Sequence, residues 1–380
     1  MKIIPAYLPQ FHQIPENDKW WGTGFTEWVN VKRARPLFDG HDQPRIPLNC
    51  NYYDLSNLDV LKWQCKIAKE HGIYGFSMYH YWFNGHLLLE KPMEMLLAHS
   101  EIDFKYCICW ANHDWTNAWD ANNGNFDTLI SHNFDDESDW VDHFNYLLPF
   151  FKDPRYISEN NKPLFVIYIP QIIGKLTKML RLWDSMAKEN GFSGLTYLYQ
   201  CAPAHIDKSW DRSLFKYGIQ FEPDYVLSNV INGKFSSKFF SFIVRYSHKI
   251  KTLLGIKKSY NSIIEGKGPL ILNYDEVWDA ILTKVEVRDN LIPSAYVDWD
   301  NTPRKNTRGS VHIGASPDKF KLYFEQLVKK TRDEYHQDKI FVFAWNEWAE
   351  GAHLEPDTRY GYAYLEATGQ AIKNAECAKP

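Results

Sequence analysis

Eight short strand-like runs recur along the chain with helix-like stretches between them, and this alternation limits the fold more than any other feature. The runs cover residues 2–8, 74–82, 106–110, 164–169, 196–200, 225–230, 295–299 and 340–345. Between the first two, residues 60–73 carry apolar side chains at helical spacing and close on His71-Gly72, a helix stop that leads straight into the second run. Residues 176–190, followed by Gly191, do the same before the fifth run, and residues 317–335 before the eighth. Strands alternating with helices make an α/β protein with a parallel sheet. The sequence contains neither a Gly-x-Gly-x-x-Gly turn nor a Walker A loop, so a doubly wound nucleotide-binding sheet is disfavoured. The expectation is one (β/α)8 TIM-type barrel with loop insertions, spanning residues 1–380.

Polar residues gather where that fold needs them. YLPQFH follows the first run, YHYWFNG the second, CWANHDWTNAW the third, YVDWDNTPR the seventh and WNEWAEG the eighth. In a (β/α)8 barrel the C-terminal strand ends form one rim, and several of them supply the active site. Aromatic residues make up 16% of the chain, with 15 Trp, 23 Tyr and 23 Phe. Two readings stand: a large aromatic core, or rings kept at the surface to stack on sugars.

The net charge of −4, from 43 basic and 47 acidic residues, gives no field that would draw the protein to nucleic acid. The opening MKIIPAYLPQFHQ is too short and too proline-broken for a secretory h-region, and nowhere do 18 apolar residues run together. The six cysteines form no Cys-x-x-Cys pair, and Cys107 and Cys109 read as reduced core residues on a strand. A cytoplasmic protein is expected. Residues 234–258 stand apart, with seven basic residues and no acidic one. Placed on a helix they are amphipathic, which fits either peripheral contact with an anionic membrane or an insertion packed on the barrel.

The pattern richest in chemistry is Trp345-Asn346-Glu347-Trp348-Ala349-Glu350 after the last run. Glycoside chemistry needs one carboxyl group protonated, to donate to the leaving oxygen, and another ionised. Trp345 and Trp348 can desolvate one glutamate, and mutual repulsion raises one of the two proton affinities. Glu347 and Glu350 are therefore the candidate catalytic pair. Candidate sugar contacts come from the other strand ends and from the long loop after the first run: Tyr7, His12, Trp21, Glu27, Trp28, His80, Trp82, Trp110, Asn112, Trp115, Asp298, Trp299, Asp300 and Asn346. Arg304 and Arg308 either neutralise phosphate on a lipid-linked glycan or lie solvated. No metal-ligand spacing is present, and no cofactor is expected.

These motifs, with YLPQFHQIPENDKWWGTGFTEWVNV and IYGFSMYHYWFNG, resemble the WbsX-type family of glycosyltransferase-named proteins, also described as glycoside hydrolase family 99-like. The resemblance runs almost end to end. It implies a (β/α)8 barrel, an oligosaccharide or lipid-linked glycan substrate, and a role in bacterial surface-polysaccharide metabolism such as O-antigen or capsule loci. More distantly, WNEWAEG is similar to the catalytic segment of the family 99 endo-α-mannosidases. That likeness implies that Glu347 takes the proton of the sugar 2-hydroxyl, giving a 1,2-anhydro sugar. It implies that Glu350 protonates the leaving oxygen, with net retention. Where many relatives have Trp-Ala-Asn-Glu after the third run, this chain has Trp110-Ala111-Asn112-His113, which replaces a carboxylate by an imidazole. Two other readings remain open at this point, a sugar-nucleotide-dependent glycosyltransferase and a non-catalytic glycan-binding barrel.

Overall fold

The computed structural model describes residues 1–116, 127–201, 210–231 and 268–377. Its centre is a ring of parallel strands: β1 (Lys2–Tyr7), β2 (Gly75–Phe83), β3 (Lys105–Trp110), β4 (Lys162–Ile167), β5 (Thr196–Gln200), β6 (Phe215–Ile219), β7 (Leu291–Ile292), β8 (Ser294–Tyr296) and β9 (Lys339–Phe343). Each strand from β1 to β6 pairs with the next, β6 pairs with β7, β8 with β9, and β9 with β1. Only Pro293 separates β7 from β8, and its carbonyl accepts from Phe341 N at 3.4 Å. The two pieces share the seventh position of an eight-position barrel, as the alternation predicts.

The sequence explains the tight points of this ring. Parallel strands are covered on both faces and read as continuous apolar runs, and all nine residues of β2 are buried. A Cβ on Gly75 would stand 2.5 Å from the Lys105 carbonyl oxygen, so glycine lets β2 approach β3. Gly218 likewise makes room for the Tyr199 ring, 2.7 Å from where a Cβ would lie. The outer layer includes the helices Leu58–Glu70, Glu137–Lys152, Leu176–Glu189, Pro317–Asp333 and Ala363–Cys377. Asn57, Asp136 and Ser316 cap three of them with side-chain oxygens, satisfying first-turn N–H groups. Gly72 and Gly191, with φ of +82° and +89°, follow two helix ends as the sequence predicts.

Two strand assignments need correction. The sixth strand is Phe215–Ile219 and not 225–230, where the chain forms the helical turns Asp224–Val226 and Leu227–Ile231. The seventh position is filled by residues 291–296, so Asp298 and Trp299 already belong to the rim. The basic stretch 234–258 lies outside the described residues. Cys107 and Cys109 are buried free thiols in β3. No helix among the described residues is long and apolar enough to cross a membrane.

Candidate active site

At the C-terminal ends of the strands opens a cavity of about 480 Å³. Among its lining residues is Arg304, on the short helix Thr302–Lys305 that follows β8. Nη2 of Arg304 lies 3.1 Å from Oε2 of Glu27 and 3.1 Å from Oε1 of Glu347, and Nη1 lies 3.0 Å from Oε1 of Glu350. Three carboxylates from two distant loops thus converge on one guanidinium, which is 13% exposed. Burial works against its charge, but the carboxylates outweigh burial and raise its proton affinity. Burial also pushes Glu347 up to about 8, with Glu350 and Glu27 adding to the effect and Arg304 opposing it. One oxygen of Glu347, Oε2, accepts from Arg304 at 3.2 Å. The other, Oε1, is buried with no aligned hydrogen-bond donor, although the same nitrogen is near.

The turn that carries the pair is held from below. Trp348–Glu350 is a single 3-10 turn ending at Gly351, whose φ of +66° falls in the left-handed region. A Cβ there would also meet Arg45 Cζ at 3.0 Å and Asp300 N at 3.1 Å. Asp300 N donates to the Glu350 carbonyl at 2.7 Å, and Arg45 donates to the Gly351 carbonyl at 2.9 Å. Beneath it, Glu355 accepts from Tyr53 Oη at 2.7 Å, Gln64 Nε2 at 2.6 Å and Trp348 Nε1 at 2.7 Å. Burial pushes Glu355 up to about 7 while these donors oppose it.

Of the residues predicted as the catalytic pair and the sugar contacts, Glu27, Trp115, Trp299, Glu347 and Glu350 line the cavity. The others do not. Tyr7 is fully buried and donates to Gln64 in the helix Leu58–Glu70, so it faces the outer layer. His12 is buried off the cavity, and Trp21 backs the wall by packing on Phe25 at 5.9 Å. Trp28 is core, donating to the Tyr53 carbonyl and packing on Trp348. His80 and Trp82 point outward to His143 and Asp139, and Trp110 packs on His143. Their β2 neighbours of opposite parity, Tyr79 and Tyr81, face the cavity instead. Asn112 braces the loops after β3 and β4 through both backbone groups of Ile169. Asn346 does the same to Leu8, at 2.8 and 2.9 Å. Asp298 pairs with Arg45 at 2.8 Å, and Asp300 with His41 at 2.7 Å. These residues build the rim without touching the cavity.

Sequence reasoning missed Tyr79, Tyr81, Tyr168 and Asp224, all of which line the cavity, and it left Arg304 to phosphate or solvent. Alternation along β2 held the signal for the two tyrosines. For Asp224 there was none, because its loop was read as a strand. His113, the departure from the family pattern, does line the cavity, 5.5 Å from the Tyr168 ring. Among the described residues no group of three or more His, Cys, Asp or Glu is arranged to hold a metal ion.

An eight-position parallel barrel with a carboxylate cluster in an aromatic-walled cavity at its C-terminal rim is a (β/α)8 protein with a candidate active site where that fold carries one. The chain belongs to the family described as Glycosyltransferase WbsX, which matches residues 3–368. It is 32% identical over 390 residues to the protein WxcX of Xanthomonas campestris pv. campestris, and equally to WxcX of a second strain. Those alignments cover 98% of this chain but 50% of WxcX, so the chain spans about half the length of the curated relatives it matches. Among solved structures it is similar to the GH99 endo-α-mannosidase of Bacteroides thetaiotaomicron. The TM-score there is 0.57 at 12% identity, covering 99% of this chain and 97% of that one. A glycoside hydrolase-like protein aligns with a TM-score of 0.53 at 13% identity, covering 86% and 89%. At such identities the likeness speaks for the fold alone.

Proposed function

We propose that the protein cleaves or transfers a glycosyl unit with retention, using Glu347 and Glu350, in the metabolism of a bacterial surface polysaccharide. The observation that carries this reading is the Arg304 cluster, which sets both glutamates side by side in a cavity at the catalytic rim. In the first step the Glu347 carboxylate takes the 2-hydroxyl proton. O2 then attacks the anomeric carbon, the glycosidic C–O bond breaks, and Glu350 gives its proton to the leaving oxygen. In the second step Glu350 takes a proton from water or an acceptor hydroxyl. That oxygen attacks the anomeric carbon, the C1–O2 bond breaks, and Glu347 returns its proton to O2. The competent state holds one proton on the pair, on Glu350 at the start, whereas burial favours the proton on Glu347, so the proton passes from Glu347 to Glu350 before the first step. The pair loses that proton as pH rises through about 8, so activity should fall above that value.

The cavity's charge favours this reading over a sugar-nucleotide donor. Its one lining guanidinium among the described residues is committed to three carboxylates, which leaves Lys305 to meet a diphosphate. Assays with aryl disaccharides, with oligosaccharides alone and with sugar nucleotides plus acceptors test the choice. Turnover that requires the nucleotide would overturn the hydrolase-type chemistry, and binding with no turnover of any kind would favour a glycan-binding barrel. Glu350→Gln should cost roughly 10² to 10⁴-fold on oligosaccharides and far less on substrates with acidic aryl leaving groups, whereas Glu347→Gln should cost as much on both. The reading includes a cytoplasmic enzyme resting on an anionic membrane through residues 234–258. Vesicle sedimentation at low and high salt checks that part, with equal recovery in the supernatant counting against it.

A further inference from the structure

Below the turn that carries Glu347 and Glu350 lies a carboxylate that the reaction does not touch. Glu355 is 3% exposed, and its oxygens are met by donors: Tyr53 Oη and Trp348 Nε1 at Oε2, both at 2.7 Å, and Gln64 Nε2 at Oε1, at 2.6 Å. The donors come from three parts of the chain: the loop after β1, the helix Leu58–Glu70 and the catalytic turn itself. Gln64 is oriented in turn, because its Oε1 accepts from Tyr7 Oη at 2.8 Å. Tyr53 Oη also accepts from Asn346 Nδ2 at 3.5 Å. Both sequence neighbours of Glu347, Asn346 and Trp348, therefore lead to Glu355, one through the tyrosine hydroxyl and one directly.

Such a set of donors suits an ionised carboxylate. A proton on Oε1 would face the Gln64 N–H, and one on Oε2 would displace the Trp348 indole or turn Tyr53 away. Hydrogen bonds to a charged acceptor are about twice as strong as neutral ones, so ionisation tightens the hold on Trp348. The titratable groups around this contact keep one state near neutrality. Burial holds the protons of Tyr7 and Tyr53 in place, and it keeps His353 from gaining one. The His353 ring stacks on Trp348 at 3.8 Å, and its Nε2 lies 3.4 Å from Asp357. Glu355 itself changes state there, since burial brings it up to about 7 against the pull of its donors. We propose that Glu355 is a positioning residue: as a carboxylate it clamps Trp348 directly and Asn346 through Tyr53, which fixes Glu347 between them, and on taking a proton it loosens that turn. The inference rests on the glycan-active reading and adds an acid-side control to the same site.

The clamp is read first without turnover. In the full chain carrying nitrogen-labelled tryptophan, the indole N–H signal that vanishes in Trp348→Phe should move with a midpoint near 7. It should stay fixed in Glu355→Gln and still move in Glu347→Gln and in His353→Gln. On the oligosaccharides or aryl disaccharides that the protein turns over, Glu355→Gln should lower kcat about tenfold with KM nearly unchanged, and should remove the acid limb that the wild type shows below about 7. Tyr53→Phe removes a donor and keeps the carboxylate, so it should carry the Trp348 midpoint and the acid limb to higher pH together. That variant also serves where Glu355→Gln does not fold. A Trp348 signal that ignores Glu355, an acid limb that does not follow that signal, or an unchanged kcat in folded Glu355→Gln would overturn the positioning role. A Trp348 signal that titrates with Glu355 in a protein without turnover upholds the clamp and rejects the catalytic reading alone.

Discussion

Arg304 is the residue on which the site turns, and little about it was visible beforehand. In the string Asn301-Thr302-Pro303-Arg304 it reads as an ordinary loop cation, because a sequence shows charge without showing which distant carboxylates the barrel will bring round it. Glu347 and Glu350 were legible, since a strand ending in Asn-Glu-Trp-Ala-Glu places both on one turn whatever the rest of the chain does. Replacing Arg304 by Met removes the cation that opposes Glu347's proton affinity, so the alkaline limb of the activity profile should move above its wild-type position near 8. The same change strands buried negative charge and should cost about 3 kcal/mol in urea unfolding. An unmoved limb would show that Arg304 does not tune the pair.

The elements teach a lesson about parity. Strand β2 was placed within a residue of its true position, yet His80 and Trp82 were chosen for the site and Tyr79 and Tyr81 occupy it. A histidine looks functional, and periodicity of two cannot say which face is the inner one. His80 instead meets His143 of the helix Glu137–Lys152, Nε2 to Nε2 at 2.9 Å, both rings buried. One ring must donate and the other accept, so both are neutral and of opposite tautomer. Burial lowers His80 to about 3 and His143 further below its ordinary value, where His80 adds to the effect. With depressed folded values, the stability this pair contributes is complete above about 6.5 and is lost as pH falls toward 3, because only the unfolded chain binds those protons. Unfolding free energy should drop by roughly 1.4 kcal/mol per pH unit for each ring across that window. His143→Gln should lower the slope by one ring's share, roughly 1.4 kcal/mol per pH unit, while His12, His132, His312 and His353, also lowered by burial, keep theirs, and an equal slope in wild type and variant would place the acid sensitivity elsewhere.

For the molecule as a whole, the barrel was legible from alternation, but its weakest strands were not. Phe-Lys-Tyr-Gly-Ile of β6 has three residues suited to a strand, but a lysine and a glycine that admits the Tyr199 ring break the run, which is too short to be read alone. The seventh position is broken by Pro293, and a strand of two plus three residues has too short a pattern to be read alone. Closure of the ring has a further result. Strand β1 lies beside β9, and the Met1 ammonium stands 3.0 Å from Glu376 near the end of the last helix. Residues 1 and 376 therefore meet at the floor of the barrel, while the cavity opens at its ceiling. Joining them by a short linker and cutting instead between the exposed Asn160 and Asn161 should yield a circular permutant that melts within a few degrees of the parent and keeps its activity. A polypeptide tethered at either end, as in a relative twice this length, would hang from the floor and leave the mouth clear for a long chain to thread through.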